Sequence, residues 1–239
     1  MAPSADLSFA RAKPRSPLLS LMFRSTPLVR RLIGPERTLR MLLQIERASW
    51  RLAYEAASQR SGEAFMNRSL AIRREQLDQW IPDGAAVLDI GCRDGRHGRL
   101  IADRISRYLG IDRLPDVITR ARSQPQPPNL YFEVGDARAL PPGEFDVAIA
   151  SHLIEHLDDP EGFLRDIGDR VPRLIVEVPD FDHDLLNAVR LEVGVDFSSD
   201  DDHVREYTAD LLGQQLAAAG WKVVDRARSP ISIAALAVR

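Results

Sequence analysis

Two histidines are the residues of this chain best suited to proton transfer. His152 directly follows an apolar run that ends at Ser151, and His203 comes after a group of aspartates. A neutral imidazole accepts protons near neutral pH, and an alcohol must lose its proton to act as a nucleophile. We predict that His152 is a general base with an apparent pKa of about 6.5 and that His203 is the next candidate. A purely structural role for His152 is the alternative.

Three aspartates stand at the ends of short apolar runs. Asp89 ends the first run, and a turn that contains Gly91 and Gly95 follows it. Asp112 and Asp136 end two later runs. Glycines at such a turn let the backbone approach a ligand closely, and an acid about 20 residues further on can reach ribose hydroxyls. The pattern indicates a ligand with a ribose, and a nucleotide-binding dehydrogenase opens in the same way.

Alternating elements must position these residues. The apolar runs predict strands that alternate with helical segments, at 85–88, Arg107–Ile111, Leu130–Val134, Phe145–Ala150 and Ile175–Val178. This alternation is typical of a parallel sheet, which binds ligands at the carboxyl ends of its strands. Trp221–Ala227 and Ile231–Val238 are predicted to form an antiparallel pair at the sheet's edge, because only a short turn joins them.

At this point the chain resembles the small-molecule branch of the class I S-adenosylmethionine-dependent methyltransferases. The resemblance is carried by five segments in the expected order, V-L-D-I-G-C-R-D-G, G-I-D, V-G-D-A, F-D-V-A-I-A-S-H-L-I-E-H-L-D-D-P and H-V-R-E-Y-T-A-D-L-L-G-Q-Q-L-A-A-A-G-W. It covers residues 79–239. It implies a Rossmann-like, doubly wound α/β fold with a mostly parallel seven-stranded sheet, an antiparallel C-terminal edge strand and N-terminal helices. The implied cofactor is S-adenosyl-L-methionine.

The resemblance also assigns the first turn to the cofactor. Asp89, Gly91 and Gly95 match the motif that contacts the methionine end, although Asp89 could instead be a turn carboxylate. The family usually carries glycine where Arg93 stands. An arginine there is tolerated at negative φ and costly at positive φ. Arg93 could also point at the cofactor's carboxylate.

The remaining cofactor contacts are implied at three later strand ends. Asp112 matches the acid that accepts both ribose hydroxyls, which one carboxylate can do. Asp136 and Ala137 match the pair beside the adenine, the first through its carboxylate and the second through its backbone N–H. A plain turn role is the alternative for Asp136. Ser151, at the end of the fourth strand, completes the predicted cofactor site.

A second group of acids and imidazoles could hold a divalent metal that binds a sugar diol. Its members are Asp180, Asp182, His183, Asp184, Asp200, Asp201, Asp202 and His203. We interpret the group as a solvated acidic loop and predict no metal. Glu155 and His156 match a recurrent pair of the family, and His156 is interpreted as a packed, hydrogen-bonded residue.

The first 80 residues are predicted to form a helical extension or cap, with the methyltransferase domain at 81–239 and its substrate-specificity region at 179–207. Leu18–Ile33 is a candidate helix that Pro27 would break or restart. A second helix, Pro35–Arg60, would stop at Ser61-Gly62, and Phe65–Trp80 would be a third. We expect these helices to pack on the catalytic domain or on a second subunit in a homodimer. Contact with a membrane is the less favoured alternative.

Composition narrows the class of protein. The chain has 239 residues, 44% of them hydrophobic, and a net charge of −3, which implies no global attraction to nucleic acid. Residues 1–80 hold 14 Arg and Lys against 7 Asp and Glu, a net +7, and the rest holds 18 against 28, a net −10. Cys92 is the only cysteine, so no intramolecular disulfide forms. With neither a membrane span nor a secretory signal recognised, we expect a cytoplasmic protein.

Together these observations predict a methyltransferase that acts on a small molecule. The best hypothesis for the acceptor is an oxygen of a sugar or another polyhydroxylated metabolite, because the specificity region is polar and acidic. Methylation of nitrogen or carbon is the alternative within the class. A binding module that has lost catalysis is the alternative from another class, and the intact acids argue against it. A dehydrogenase is less favoured, because the first turn lacks the G-x-G-x-x-G spacing.

Overall fold

Seven strands form one sheet in the computed structural model, which describes residues 16–140, 143–195, 202–229 and 231–239. The strands are β1 (Ala86–Ile90), β2 (Arg107–Asp112), β3 (Leu130–Val134), β4 (Val147–Ser151), β5 (Arg173–Pro179), β6 (Lys222–Arg228) and β7 (Ser232–Val238). Their order across the sheet is β3-β2-β1-β4-β5-β7-β6. The predicted strands are thus all present, with ends that differ by one or two residues at most of them.

The sheet is parallel from β3 to β5, and β7 runs antiparallel to both of its neighbours. This confirms the predicted Rossmann-like sheet with an antiparallel C-terminal pair. Within that pair β7 lies inside, beside β5, and β6 forms the edge. This order explains the burial of the two strands. All but the last residue of β7 is buried, while β6 is largely exposed.

Short helices cover both faces of the sheet and bury two apolar clusters against it. They are α3 (Arg96–Ile101), α4 (Pro115–Ser123), α5 (Pro160–Gly168), α6 (Leu186–Glu192) and α7 (Ala209–Ala218). Thr208 caps α7 as predicted, since its hydroxyl accepts a hydrogen bond from the Leu211 N–H at 3.2 Å. Short 3₁₀ turns at Ile154–His156 and Phe181–His183 follow β4 and β5.

Two helices precede the sheet, and both are longer than the sequence predicted. α1 spans Pro17–Ile33 and continues through Pro27, while α2 spans Pro35–Trp80 without a stop at Ser61-Gly62. Both predicted breaks are therefore wrong. One glycine costs a helix only about 1 kcal/mol relative to alanine, too little to end a long run of helix-forming residues. Proline inside a helix costs about 3 kcal/mol of helix stability, but it removes only one backbone hydrogen bond. The helix α1 therefore continues through Pro27.

The C-terminal end of α2 packs on the sheet and its covering helices. Leu77 and Trp80 are buried in one of the two clusters, and the Trp80 indole N–H donates to an Asp225 carboxylate oxygen at 2.9 Å. Arg74 forms ion pairs with Asp78 in its own helix and with Asp103 beyond α3. Apolar burial and charge pairing thus attach α2 to the sheet.

Of the helices in the described part of the chain, none combines the length and hydropathy that a membrane span requires.

Candidate functional site

The predicted site residues meet at the carboxyl ends of β1, β2, β4 and β5. Register places Ile90 of β1 beside Ile111 of β2 and Ala150 of β4, so the residues that follow these strands emerge side by side. One strand further, Ser151 pairs with Glu177 of β5. Parallel strands bring these ends together at one edge of the sheet, where open α/β folds bind ligands.

The loop after β1 is held against β2 by its own backbone. The N–H groups of Gly91 and Cys92 both donate to the Ile111 carbonyl, at 2.8 and 3.0 Å. Gly91 and Gly95 have φ near +75°, and a Cβ on Gly95 would overlap the Phe132 ring. Glycine at position 95 is therefore required both by the backbone conformation and by the closeness of β3.

Arg93 adopts the left-handed conformation that the sequence analysis identified as costly, with φ at 50°. This conformation costs a non-glycine residue about 1–2 kcal/mol. It turns the Arg93 N–H toward β2, where it donates to the Asp112 Oδ2 atom at 3.1 Å. A hydrogen bond to a carboxylate offsets much of that cost. The Arg93 side chain is exposed.

Asp112 closes the other side of this loop and is buried. Its Oδ1 atom accepts the Leu114 N–H at 3.0 Å, and its Oδ2 atom accepts the Arg93 N–H. Two backbone donors fix the orientation of the carboxylate. Each oxygen still has a second lone pair, so Asp112 retains the capacity to accept the two ribose hydroxyls of the predicted role.

Asp89 has partners that the sequence analysis missed. Its carboxylate is buried and accepts the Tyr108 hydroxyl at 2.5 Å, with the His97 Nδ1 atom at 3.0 Å. Burial raises the pKa of Tyr108 well above its usual value, so the phenol remains a donor. Asp89 thereby joins β1 to β2 and to the start of α3, and its predicted contact with the methionine end stays a prediction. In the sequence, the only sign of these partners was His97, eight residues after Asp89.

Asp136 and Ala137 lie in the turn after β3. The Asp136 side chain is exposed, and its Oδ1 atom accepts the Arg138 N–H at 2.9 Å. Ala137 is half-buried against the core. The turn bond accounts for one Asp136 oxygen, and the adenine contact of both residues stays a prediction.

Glu177 is a central residue of the site that the sequence analysis did not assign. It is 2% exposed, its Oε2 atom accepts the Ser151 hydroxyl at 2.5 Å, and the same atom forms an ion pair with Arg73 of α2. Burial raises the pKa of this carboxyl, but Arg73, His152 and the Ser151 hydroxyl together outweigh burial and hold the pKa of Glu177 below its usual value. In the sequence, the only sign of this role for Glu177 was its position as a single acid within an apolar strand.

His152 lies where the prediction put it, directly beyond β4, with a left-handed backbone at φ 51°. Its Nδ1 atom is 3.4 Å from Glu155 Oε1, and its Nε2 atom is 3.3 Å from the Ser232 hydroxyl and 3.8 Å from Glu177 Oε2. Burial lowers its pKa, while Glu155 and Glu177 raise it more, so the pKa of His152 lies above its usual value. The side chain remains 41% exposed.

Glu155 and His156 approach His203, and their potential ligand atoms all lie within 4.8 Å of one another. The rings of His156 and His203 meet edge to face at 4.8 Å between centroids. The His203 Nδ1 atom lies 3.0 Å from Glu206 Oε1, and the His203 side chain is nearly buried. This burial supports a structural role for His203, and its alternative role as base stays a prediction.

Glu155 is buried, and its carboxylate oxygens have no hydrogen-bond partner among the described residues. A divalent cation could be held by Glu155 together with the two imidazoles. Within the protein, the His152 Nδ1 atom at 3.4 Å already faces this carboxylate. The predicted absence of a metal therefore stays a prediction with a defined place to test it.

The acidic residues after β5 mostly bind within the protein. Asp180 accepts the Asp182 N–H at 3.1 Å and lies 3.5 Å from the Arg228 Nε atom. Asp184 pairs at 2.7 Å with the buried Arg190, which also forms an ion pair with Glu46 of α2. The interpretation as a solvated acidic loop is therefore wrong for Asp180, which is buried, and for Asp184, whose partner Arg190 ties the loop to α2. Asp200 and Asp201, which the sequence analysis placed in the same group, lie outside the described residues.

Comparisons with known proteins agree with this architecture. A family model described as a methyltransferase domain matches residues 63–226. A protein of Mycolicibacterium smegmatis described as "Probable S-adenosylmethionine-dependent methyltransferase" is 31% identical over 148 residues, which cover 59% of this chain and 54% of that protein. A ubiquinone biosynthesis O-methyltransferase of Xanthomonas campestris is 32% identical over 87 residues, or 34% of this chain and 36% of the enzyme.

Among solved structures, magnesium protoporphyrin IX methyltransferase of Synechocystis, with bound SAH, superposes with a TM-score of 0.58 at 17% identity. The match covers 72% of this chain and 82% of that one. The chain spans about half or less of the length of the curated relatives that it matches. Because the family model covers more than half of its residues, the chain belongs to the class I S-adenosylmethionine-dependent methyltransferases.

Proposed function

We propose that this protein methylates a hydroxyl group of a small molecule, with His152 as the general base. The observation that carries the proposal is the pairing of His152 with Glu155 at the carboxyl end of β4, 3.4 Å apart. A base that is oriented by a carboxylate on its far nitrogen is the usual arrangement for activating a hydroxyl. The partial exposure of the ring leaves room for an acceptor beside it.

The two ring nitrogens of His152 have different tasks in this proposal. Nδ1 faces Glu155 Oε1 at 3.4 Å, and we place the ring proton on Nδ1, beside this carboxylate, which leaves the lone pair on Nε2. Nε2 lies 3.3 Å from the Ser232 hydroxyl, and an acceptor hydroxyl would take the place of that contact. Nε2 then removes the hydroxyl proton as the oxygen attacks. Glu155 and Glu177 stabilise the imidazolium that results.

The cofactor of this family is S-adenosyl-L-methionine, and the residues present fit it. The Gly91–Gly95 loop brings the backbone close, and Asp112 presents a carboxylate with free lone pairs. We propose that Asp89 supports this loop from inside, that Asp136 and Ala137 flank the adenine, and that Ser151 borders the site. When bound, the cofactor supplies a methyl group on a positively charged sulfur. Holding the acceptor in line is then the protein's main contribution beside the base.

The acceptor is proposed to be a sugar or another polyhydroxylated metabolite. Its support is the polar character of the region 179–207, which we propose as the specificity region of a domain at 81–239 beneath the helices of residues 1–80. The relatives include a ubiquinone biosynthesis O-methyltransferase and an ajmaline N-methyltransferase. An oxygen acceptor is favoured over nitrogen because His152 has the carboxylate that a base needs. The cytoplasmic location stays a prediction.

Analysis of the methylated product tests this proposal against its alternatives. The protein is incubated with S-adenosyl-L-methionine labelled in the methyl carbon and with a panel of hydroxylated small molecules. We expect labelled product whose methyl group is attached to oxygen by NMR and mass spectrometry. Attachment to nitrogen or carbon would instead support the alternative, an N- or C-methyltransferase. Tight binding of the cofactor with no turnover on any acceptor would favour a binding module.

A further inference from the structure

The helix α1 presents an apolar stripe to solvent. Leu21, Leu28 and Leu32 are 65%, 60% and 73% exposed. At about 100° per residue, these three side chains fall within an arc of roughly 40° on one side of the helix. Met22 and Ile33 are 42% and 40% exposed but lie outside this arc, roughly 100–120° from its centre. Single exposed leucines are ordinary on a protein surface, but a continuous stripe along a helix marks an interaction surface.

Arginines occupy the neighbouring side of the same helix. Arg24 and Arg31 lie roughly 60–80° from the centre of the stripe, and Arg30 lies on the opposite side of the helix. All three are exposed. The helix contains no aspartate or glutamate. Phe23, which is 63% exposed, lies beside Arg30 on the opposite side. A leucine stripe flanked by arginines on a helix without acids is the pattern of an interfacial helix.

The rest of the described protein does not cover the stripe. α1 makes its main contacts with α2. Among the α1 side chains that the structure describes, the half-buried ones are Ser20, Ser25, Thr26 and Val29, and none of them is a leucine of the stripe. The sequence analysis expected this segment to pack on the catalytic domain or a second subunit. In the structure, it is α2 that packs on the domain, through Leu77 and Trp80, while the leucines of α1 face outward.

We propose that α1 docks in the headgroup region of an anionic membrane, with Leu21, Leu28 and Leu32 among the acyl chains. Arginine suits this position, because its aliphatic stem lies along the apolar boundary while its charge reaches the lipid phosphates. A second copy of the chain fits the surface less well. The α1 helices of two copies would bring like charges together, and neither supplies an acid to the other.

Vesicle flotation of the full chain tests this proposal without reference to turnover, so its outcome is independent of the proposed reaction. Vesicles of phosphatidylcholine are compared with vesicles that also contain phosphatidylglycerol. We expect flotation with the anionic vesicles, weakened by salt. Leu28→Gln with Leu32→Gln should lower the partition coefficient at least about tenfold. Arg24→Gln with Arg31→Gln should lower it roughly 25-fold. Glutamine keeps the helix propensity of leucine and arginine nearly unchanged.

Two matched variants serve as controls. Leu185, which is 90% exposed, and Arg120, which is exposed on α4, lie outside α1 and α2. Leu185→Gln and Arg120→Gln should leave flotation unchanged. Failure of the wild-type chain to float with anionic vesicles would overturn the proposal. So would flotation that survives both pairs of α1 substitutions. Sedimentation that shows a dimer dissociated by Leu28→Gln with Leu32→Gln would assign the stripe to a second copy instead.

Discussion

Arg73 of the long N-terminal helix forms an ion pair with Glu177 on the fifth strand, within the candidate site. Glu177 is 2% exposed, and Arg73, His152 and the Ser151 hydroxyl together hold its pKa below the usual value despite burial. The same carboxylate accepts the Ser151 hydroxyl and lies 3.8 Å from His152 Nε2. Through Arg73, the helix outside the Rossmann-like core thus contributes to the electrostatics of the candidate base.

Removing the charge of Glu177 and removing the charge of Arg73 should shift the pH dependence of kcat in opposite directions. The groups that shift the pKa of His152 are Glu155 and Glu177, which raise it, and Arg73, which lowers it. The rate rises with pH as His152 loses its proton, through an apparent pKa above the ordinary imidazole value. Glu177→Gln should move this rise to lower pH, and Arg73→Met should move it to higher pH. The measurement is kcat against pH.

Arg73→Lys retains the charge and is the matched control, whose pH profile should stay close to that of the wild type. Arg73→Met should also lower the free energy of unfolding by about 2–3 kcal/mol, because it leaves a buried carboxylate without its partner. This figure is at the low end for buried pairs, since the Arg73 side chain keeps some exposure. If Glu177→Gln and Arg73→Met shift the pH profile in the same direction, the assignment of His152 as the titrating base is contradicted.

Removing the imidazole should remove the base without disturbing the cofactor site. We expect His152→Ala to lower kcat by about 10²–10⁴-fold, while calorimetry gives an almost unchanged affinity for the cofactor. Added imidazole should restore part of the rate, because it can occupy the space left by the side chain. A variant that retains most of its kcat would transfer the role to another group, with His203 next to be replaced.

Asp112 should be needed for binding of the cofactor rather than for proton transfer. Asp112→Ala is expected to weaken binding by about 1.5–3 kcal/mol, the range for hydrogen bonds to a charged group. Asp116→Ala, four residues further on at the exposed start of α4, is the control. Calorimetry measures both, and the wild-type chain should not bind nicotinamide dinucleotides. Equal affinities for the two variants would remove Asp112 from the ribose role.

Gly95 and Gly84 form a matched pair for the packing of the glycine loop. Both have φ near +75°, but only Gly95 has a neighbour, the Phe132 ring, where a Cβ would go. Gly84→Ala should cost about 1 kcal/mol of stability from the backbone alone. Gly95→Ala should cost a further ~1–3 kcal/mol from overpacking. Urea unfolding gives both values, and equal costs would show that Phe132 moves aside freely.

The reaction is expected to need no divalent metal. Glu155 faces His152, and the Nδ1 atoms of His156 and His203 already have oxygen partners at 3.2 and 3.0 Å. Dialysis against EDTA should therefore leave kcat unchanged. If activity is lost and returns with one particular divalent cation, the cluster of Glu155, His156 and His203 is its binding site. Loss of that response in Glu155→Gln would confirm the assignment.

The sequence by itself determined the fold and the place of the site. Apolar runs, the glycines after β1 and the aspartates at strand ends are local patterns, and each strand formed where its pattern predicted. The alternation of strand and helix patterns along the chain defines the parallel sheet, because a helix between two strands returns the chain to the same end of the sheet. His152 could be located for the same reason, since it directly follows an apolar strand.

Only the tertiary structure decided what surrounds these residues. Arg73 and Glu177 are 104 positions apart along the chain, and no local pattern pairs them. The φ of Arg93 is set by its hydrogen bond to Asp112, which lies on the next strand. The long helix α2 formed across a predicted stop because the small local cost of one glycine did not interrupt it. Packing between distant segments, not local propensity, fixes the charges around the base.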